Sequence, residues 1–186
     1  MLTYDEKGRA FWNGERVPRT TEVCAFLAPR FQCHPWYLDR GRIGHLITEY
    51  HDKGELDESR VDPSLVGRLG AYKNFNREVK PQIIKIEINL YHPKYHYCGR
   101  PDRYGVLFKW NSVWDIKFGV PAEGDTYQIP AYIMLLRANG YPAEKGFDIY
   151  LKDNGNYQVK EVKKPSILFN KFLGGVKAWN SVQVEK

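Results

Sequence analysis

Residues 82–92, QIIKIEINLYH, alternate in character. Ile84, Ile86 and Ile88 fall on one side; Lys85, Glu87 and Asn89 fall on the other. That period of two predicts a half-buried strand. Two more alternating runs follow, YGVLF at 104–108 and SVWDIKF at 112–118. They read as a hairpin with its turn near Trp110-Asn111. A second hairpin is predicted in FDIYLKDNGNYQVKEVK, turning at Asn154-Gly155. A third lies near the start of the chain, where Asn13-Gly14 separates short aromatic and apolar stretches. Asn-Gly supplies the two left-handed positions of a tight hairpin turn.

Helical signals fall between these strands. Thr20 or Thr21 can cap a short helix that runs to about Leu27 and is ended by Pro29. HPWYLDRGRIGHLITEYHDKG predicts a helix from 35 to about 53, with Gly54 as its stop. Gly41 and Gly44 sit inside it, each costing about 1 kcal/mol against alanine. Either the helix begins near Gly41 or a neighbour comes close there. His45 and Glu49, four apart, share a face. Asp62 and Pro63 cap and open the next helix, through NFNREVK. GDTYQIPAYIMLLRANGYP predicts about three turns, capped by Asp125 or Thr126 and ended by Gly140 and Pro142. Pro130 has to lie near the first turn, so regular helix is expected to begin close to Tyr127. PSILFNKFLGGVKAWNSV closes the chain as a helix, with Gly174-Gly175 as the expected point of interruption. Helices, three strands, a helix, two strands and a helix predict one α/β or α+β domain around a mixed sheet.

Composition narrows the function classes. The 186 residues suit a single domain with a real core. No apolar run approaches the roughly 20 residues that span a bilayer. The first nine residues are polar and charged, unlike a signal peptide, so a cytoplasmic protein with no membrane partner is expected. A net charge of +6 permits a phosphate-rich partner. The three cysteines include no CxxC pair, which argues against a disulfide framework or structural zinc. Cys33-His34 and the group His92, His96 and Cys98 have spacings too irregular for a zinc site.

Candidate chemistry concentrates in GRPDRYGVLFKWNSVWDIKFG, residues 99–119. Asp115 and Lys117 share one strand face. A two-residue turn at Trp110-Asn111 would set Asp102 on that face too, but opposite Gly119. Asp102 would then stand four residues out of step with Asp115, roughly 13 Å at about 3.3 Å per residue. Sharing a metal would require a bulge or a bent strand. Paired carboxylates offer hard oxygen ligands for Mg²⁺ or Mn²⁺. Such a metal acidifies a bound water and holds a phosphate oxygen. A lysine on the same face can stabilise the charge that builds up in phosphodiester cleavage. The same residues also fit a solvated cross-strand pair.

The ordered set of residues resembles the PD-(D/E)XK nuclease superfamily, in its RecB-like and phage (lambda-type) exonuclease branch. Pro101-Asp102 matches the PD half and Asp115-Ile116-Lys117 the (D/E)xK half. Gln128 and Tyr132, in QIPAY, match the QxxxY helix that follows. His45, in GRIGHLITEY, matches the upstream histidine helix, and ERVPRTTEV looks like the N-terminal hairpin of phage members. The resemblance implies a restriction-endonuclease-like fold, a mixed central sheet flanked by helices. It makes residues 1–186 one nuclease domain, with the hairpin at 1–20 and the catalytic core at 83–140.

For the site, the resemblance implies His45, Asp102, Asp115 and the Ile116 carbonyl as ligands of Mg²⁺ or Mn²⁺. Lys117 would be the catalytic lysine. Gln128 would orient the site or touch the DNA backbone, and Tyr132 would sit behind it. Glu87 is a further candidate, because some members carry an acidic residue there. Glu49 is either a ligand or a neighbour of His45. Arg100 and Arg103 flank Asp102 and are the best candidates to hold DNA phosphates, ahead of Arg40, Arg42, Lys160, Lys163 and Lys164. Tyr95, Tyr97, Trp110 and Trp114 could stack on unpaired bases or simply pack a sheet.

The activity implied is metal-dependent exonucleolytic cleavage of double-stranded DNA ends, leaving 5′-phosphates, in phage or prophage recombination or repair. Self-association and a single-strand-annealing or recombination partner belong to that setting. An endonuclease of the same fold and a silent DNA-binding protein are the alternatives. Iron–sulfur members of the branch use four cysteines, three near the C-terminus. This chain has three in all and none after Cys98, so no cluster is expected.

Overall fold

The computed structural model describes residues 1–28 and 35–184. Pro29, Cys33 and His34 lie outside the described residues. The chain opens with three short antiparallel strands, β1 (Leu2–Tyr4), β2 (Ala10–Trp12) and β3 (Glu15–Val17). Asn13-Gly14 joins β2 to β3 with φ of 49° and 87°. The first strand is an addition to the expected hairpin.

Helix α1 (Thr20–Leu27) is capped by Arg19 rather than by either threonine. The Glu22 carboxylate accepts from the Arg19 amide at 2.8 Å. Thr20 is buried instead, its hydroxyl donating to the Cys98 carbonyl at 3.0 Å. Helix α2 (Pro35–Lys53) runs unbroken through both glycines. Gly44 is the close approach: a Cβ there would lie 2.4 Å from the Phe118 ring. Helix α3 (Pro63–Val79) starts as predicted, with Asp62 accepting from the Ser64 amide at 2.8 Å.

Strands β4 (Gln82–Ile86), β5 (Leu90–His92), β6 (Tyr97–Gly99), β7 (Arg103–Leu107) and β8 (Trp110–Lys117) follow. The run expected as one strand is thus split. Glu87 has a φ of 50° and ends β4; β5 pairs with β6 in a separate small sheet. A register shift between Ile83 and Lys85 turns Ile84 outward, 53% exposed, against the predicted alternation. Helix α4 (Asp125–Ala138) begins two residues earlier than expected, capped at Gly124, and carries Pro130 in its second turn. Strands β9 (Lys145–Leu151) and β10 (Tyr157–Glu161) form the later hairpin. Helix α5 (Pro165–Val184) is continuous through Gly174-Gly175, and Gly175 lies against Leu27.

The central sheet has the order β10-β9-β8-β7-β4, antiparallel except for the parallel β8–β9 pair. Parallel neighbours need a crossover, and α4 supplies it. Val113 and Tyr104 face Ile129 and Ile133 of α4, with Val23 of α1 and Phe172 of α5 in the same core. Trp114, Ile116 and Ile149 face the other way, against Leu69, Tyr72 and Phe75 of α3 and Ile47 of α2. The result is the α/β (α+β) arrangement expected, a mixed sheet with helices on both faces. No described helix is long and apolar enough to cross a membrane.

Candidate active site

The β7–β8 hairpin turns at Phe108-Lys109, two residues before the expected place. Both residues take positive φ, 49° and 73°. Leu107 pairs with Trp110 and Arg103 with Trp114, and Asp102, one residue beyond β7, continues that register toward Asp115. The two carboxylates are in step, and no bulge is needed in this hairpin. Asp102 Oδ2 accepts the Ile116 amide at 2.7 Å, extending the contact one residue beyond β7.

Two side chains approach Asp102 from outside the hairpin. His45 of α2 places Nδ1 3.2 Å from Asp102 Oδ2. Its ring meets the Phe118 ring edge-on at 5.3 Å, the contact that the missing side chain of Gly44 permits. Glu87 donates its backbone amide to the Asp102 carbonyl at 2.9 Å. Its left-handed backbone is costly for a residue with a Cβ, and such strain concentrates at functional sites. His45, Glu87 and Asp102 each offer a ligand atom within 4.8 Å of the others, with 37% of the His45 side chain open to solvent.

Asp115 is tied into a second cluster. Lys117 forms an ion pair with Asp115 Oδ2 at 2.7 Å and donates to Gln128 Oε1 at 2.7 Å and to Asp125 Oδ1 at 3.2 Å. Gln128 Nε2 lies 3.1 Å from both Asp115 Oδ1 and the Tyr132 hydroxyl oxygen. One turn of α4 thus spans the carboxylate, the ammonium and a buried tyrosine. Asp148 of β9, in register with Asp115, stands 3.8 Å from the Lys117 Nζ.

No family model matches the sequence, and no curated protein matches it. The solved structures do offer a likeness. An alkaline exonuclease (LHK-Exo) from Laribacter hongkongensis superposes with a TM-score of 0.53 and 13% identity, over 91% of this chain and 89% of that one. The two share a fold. The same exonuclease in complex with dAMP gives a TM-score of 0.45 at 14% identity, with the same coverage.

Within that fold, facing carboxylates carry opposite electrostatic shifts. Burial works against charge on Asp102, yet His45 and the Ile116 amide hold its carboxyl below the usual range. Burial and the facing Asp102 push Asp115 up, with Lys117 offsetting part of the rise. Burial and Asp102 also push Glu87 up to about 7, against the pull of Arg100, His45 and Arg103. Burial disfavours the charged His45 ring, but Asp102, Asp115 and Glu87 more than compensate and bring it up to about 9. Burial opposes charge on Lys117 too; Asp115, Asp125 and Asp148 prevail and raise it.

Other sequence expectations land elsewhere. Arg103 is not a surface cation: it is 0% exposed and cannot meet a DNA phosphate. It donates to Asp52 Oδ2 at 2.6 Å and to the Asp102 carbonyl at 2.7 Å, with Glu87 Oε1 at 3.6 Å. Its position facing Trp114 turns it into the α2–α3 side of the sheet. Arg100 remains 59% exposed and pairs with Glu87 at 2.9 Å. Glu49 pairs with Lys53 at 2.6 Å, one turn along α2, and is not part of the His45–Glu87–Asp102 triad. Arg40 is drawn to Asp153 at 2.6 Å. Tyr97 and Trp114 are core residues, whereas Trp110 is exposed with Lys145 over its ring.

Three acidic residues that the sequence reading did not single out as site members belong to this architecture. Asp52 anchors Arg103. Asp125, read only as a helix cap, holds Lys117. Asp148 had a visible signal: a carboxylate amid Phe147, Ile149 and Leu151 on a strand buried on both faces.

Proposed function

We propose that this chain is a metal-dependent deoxyribonuclease of the PD-(D/E)XK type, an exonuclease that hydrolyses phosphodiester bonds at double-stranded DNA ends and leaves 5′-phosphates. One observation carries the reading: Asp102 Oδ2 is bound to the Ile116 amide, next to Asp115, with His45 3.2 Å from the first carboxylate and Lys117 2.7 Å from the second. A structure that shares the fold is that of an alkaline exonuclease, which agrees with a nuclease activity in general. Phage or prophage recombination or repair is the setting that the sequence resemblance implies.

The donor set fits Mg²⁺ or Mn²⁺. Carboxylate oxygens and one imidazole converge where burial and mutual repulsion leave Glu87 short of compensating charge. His45, Glu87 and Asp102 would hold the ion, with Asp115 and the Ile116 carbonyl completing the set. Bound there, it would acidify a water and polarise a phosphate oxygen. Lys117 is fixed as an ammonium, so it serves as a donor to negative charge rather than as a general base. Gln128 holds Lys117 and Asp115 in one geometry, and Tyr132 fixes the amide from behind. Exposed Arg100 would meet a backbone phosphate.

Incubation of linear and covalently closed circular DNA with Mn²⁺, Mg²⁺ or EDTA tests this. Metal-dependent loss of the linear form alone is expected. Cleavage of the closed circle would replace the exonuclease with an endonuclease of the same fold.

A further inference from the structure

The Lys117 ammonium has three N–H bonds to give. Gln128 and Asp125 accept from it at 2.7 and 3.2 Å, and Asp115 Oδ2 forms an ion pair with it at 2.7 Å. Asp148 is the fourth acceptor in the cluster and receives none. It is 2% exposed, its Oδ1 has no hydrogen-bond partner, and it stands 3.8 Å from the Nζ. A buried carboxylate oxygen without a hydrogen bond is costly and calls for an explanation. Its place is not accidental in register. Asp115 and Asp148 are paired across β8 and β9, so the two carboxylates share one sheet face, and Lys117, two residues along β8, shares it too.

We propose that Asp148 is a positioning residue for Lys117, a reserve acceptor that takes up the ammonium when an Asp115 oxygen is engaged elsewhere. Asp115 has competing duties: Oδ2 serves Lys117, Oδ1 serves Gln128, and the carboxylate faces the ligand cluster. An acceptor within a small side-chain movement keeps the third N–H satisfied, so Lys117 keeps its place when Asp115 lets go. Asp125 and Gln128 hold the other two N–H bonds throughout. This role deepens the nuclease reading and rests on it for its purpose. The contacts behind it are independent of that reading.

The test is a double-mutant cycle on the full chain without metal or DNA, read by acylation of Lys117 with acetic anhydride and peptide mass spectrometry. The proteins are wild type, Asp115→Ala, Asp148→Val, the double variant, and Asp115→Ala with Asp148→Asn. Thermal melting establishes that each is folded at the labelling temperature. With one acceptor removed, three remain for three N–H bonds; with both removed, two remain. The double variant is therefore expected to label at least about tenfold faster than the product of the two single effects predicts. Asparagine keeps an acceptor oxygen without the charge, so Asp148→Asn is expected to restore most of the protection. A double variant within about twofold of that product would overturn the proposal, leaving Asp148 as an independent charge. Failure of asparagine to protect better than valine would also overturn it. DNA cleavage does not enter the readout, so a protein that cuts nothing would leave this result standing and remove only the nuclease reading.

Discussion

Asp102, one residue beyond β7, reaches across to β8, and its Oδ2 accepts the Ile116 amide beside Asp115 at 2.7 Å. One carboxylate is thus fastened to the strand that carries the other. His45 and Glu87 gather on the first; Lys117 and Gln128 gather on the second. Each side of the site has its own supporting layer, which allows the two to be tested apart.

Gly44 sets the depth of His45. Gly44→Ala would press a methyl into the Phe118 ring, and overpacking of this kind costs about 1–3 kcal/mol. Calorimetric melting should show that loss, and Mn²⁺ titration should show weakened binding because His45 moves with its helix. Phe118→Leu in the same chain should recover part of both.

Glu87 is expected to hold a divalent cation directly. Glu87→Gln should weaken Mn²⁺ binding by about tenfold or more in isothermal titration, with little change in melting temperature before metal is added. Unchanged affinity would remove Glu87 from the ligand set. Glu49→Gln, tied to Lys53 rather than to the triad, should leave affinity within about twofold.

Asp52 supports the site through Arg103. Burial opposes charge on Asp52, but His51, Arg103 and Tyr72 hold its carboxyl below the ordinary carboxylate value of about 3.9. A depressed folded value means that its contribution is complete above that ordinary value. It is lost as pH falls through the folded one. Asp52→Asn strands a buried guanidinium and should cost about 3–5 kcal/mol at pH 7 by urea unfolding. The gap between variant and wild type should narrow below about pH 4.

The hairpin that aligns the carboxylates bends at two residues with side chains. Lys109 is exposed with φ of 73°, a conformation that glycine adopts freely. Lys109→Gly should stabilise the protein by about 1 kcal/mol, read as a higher urea midpoint with an unchanged slope.

That same turn marks where the sequence stops being legible. Phe108-Lys109 carries no glycine, asparagine or proline, so local chemistry offers nothing to locate the bend. Trp110-Asn111 looked the better turn, yet both stay in β8, where Asn111 pairs with Val106 and Trp110 lies under Lys145. Setting the turn two residues too late, at Trp110-Asn111, moves the facing position by four and hides the register that brings Asp102 toward Asp115. The strand break at Glu87, itself a candidate in the sequence, was hidden for a related reason, since alternation runs straight through it while its backbone does not. Most helix boundaries were readable because proline and glycine mark them: Pro35 and Gly54, Asp62-Pro63, Pro165. Arg103 was misjudged because flanking an acidic residue says nothing about which sheet face a side chain takes. In-register neighbours such as Asp148 are set by a parallel pairing 33 residues apart, which no local pattern encodes.

The most direct test of the nuclease account is release of label from linear double-stranded DNA tagged at its 5′ or 3′ end, comparing wild type with Lys117→Met. With Mn²⁺ or Mg²⁺ the wild type should release label, with EDTA it should not, and loss of the ammonium should lower the rate by about 10²–10³-fold. Equal metal-dependent cleavage by wild type and Lys117→Met would contradict the assignment of this site, and no cleavage by the wild type would contradict the function itself.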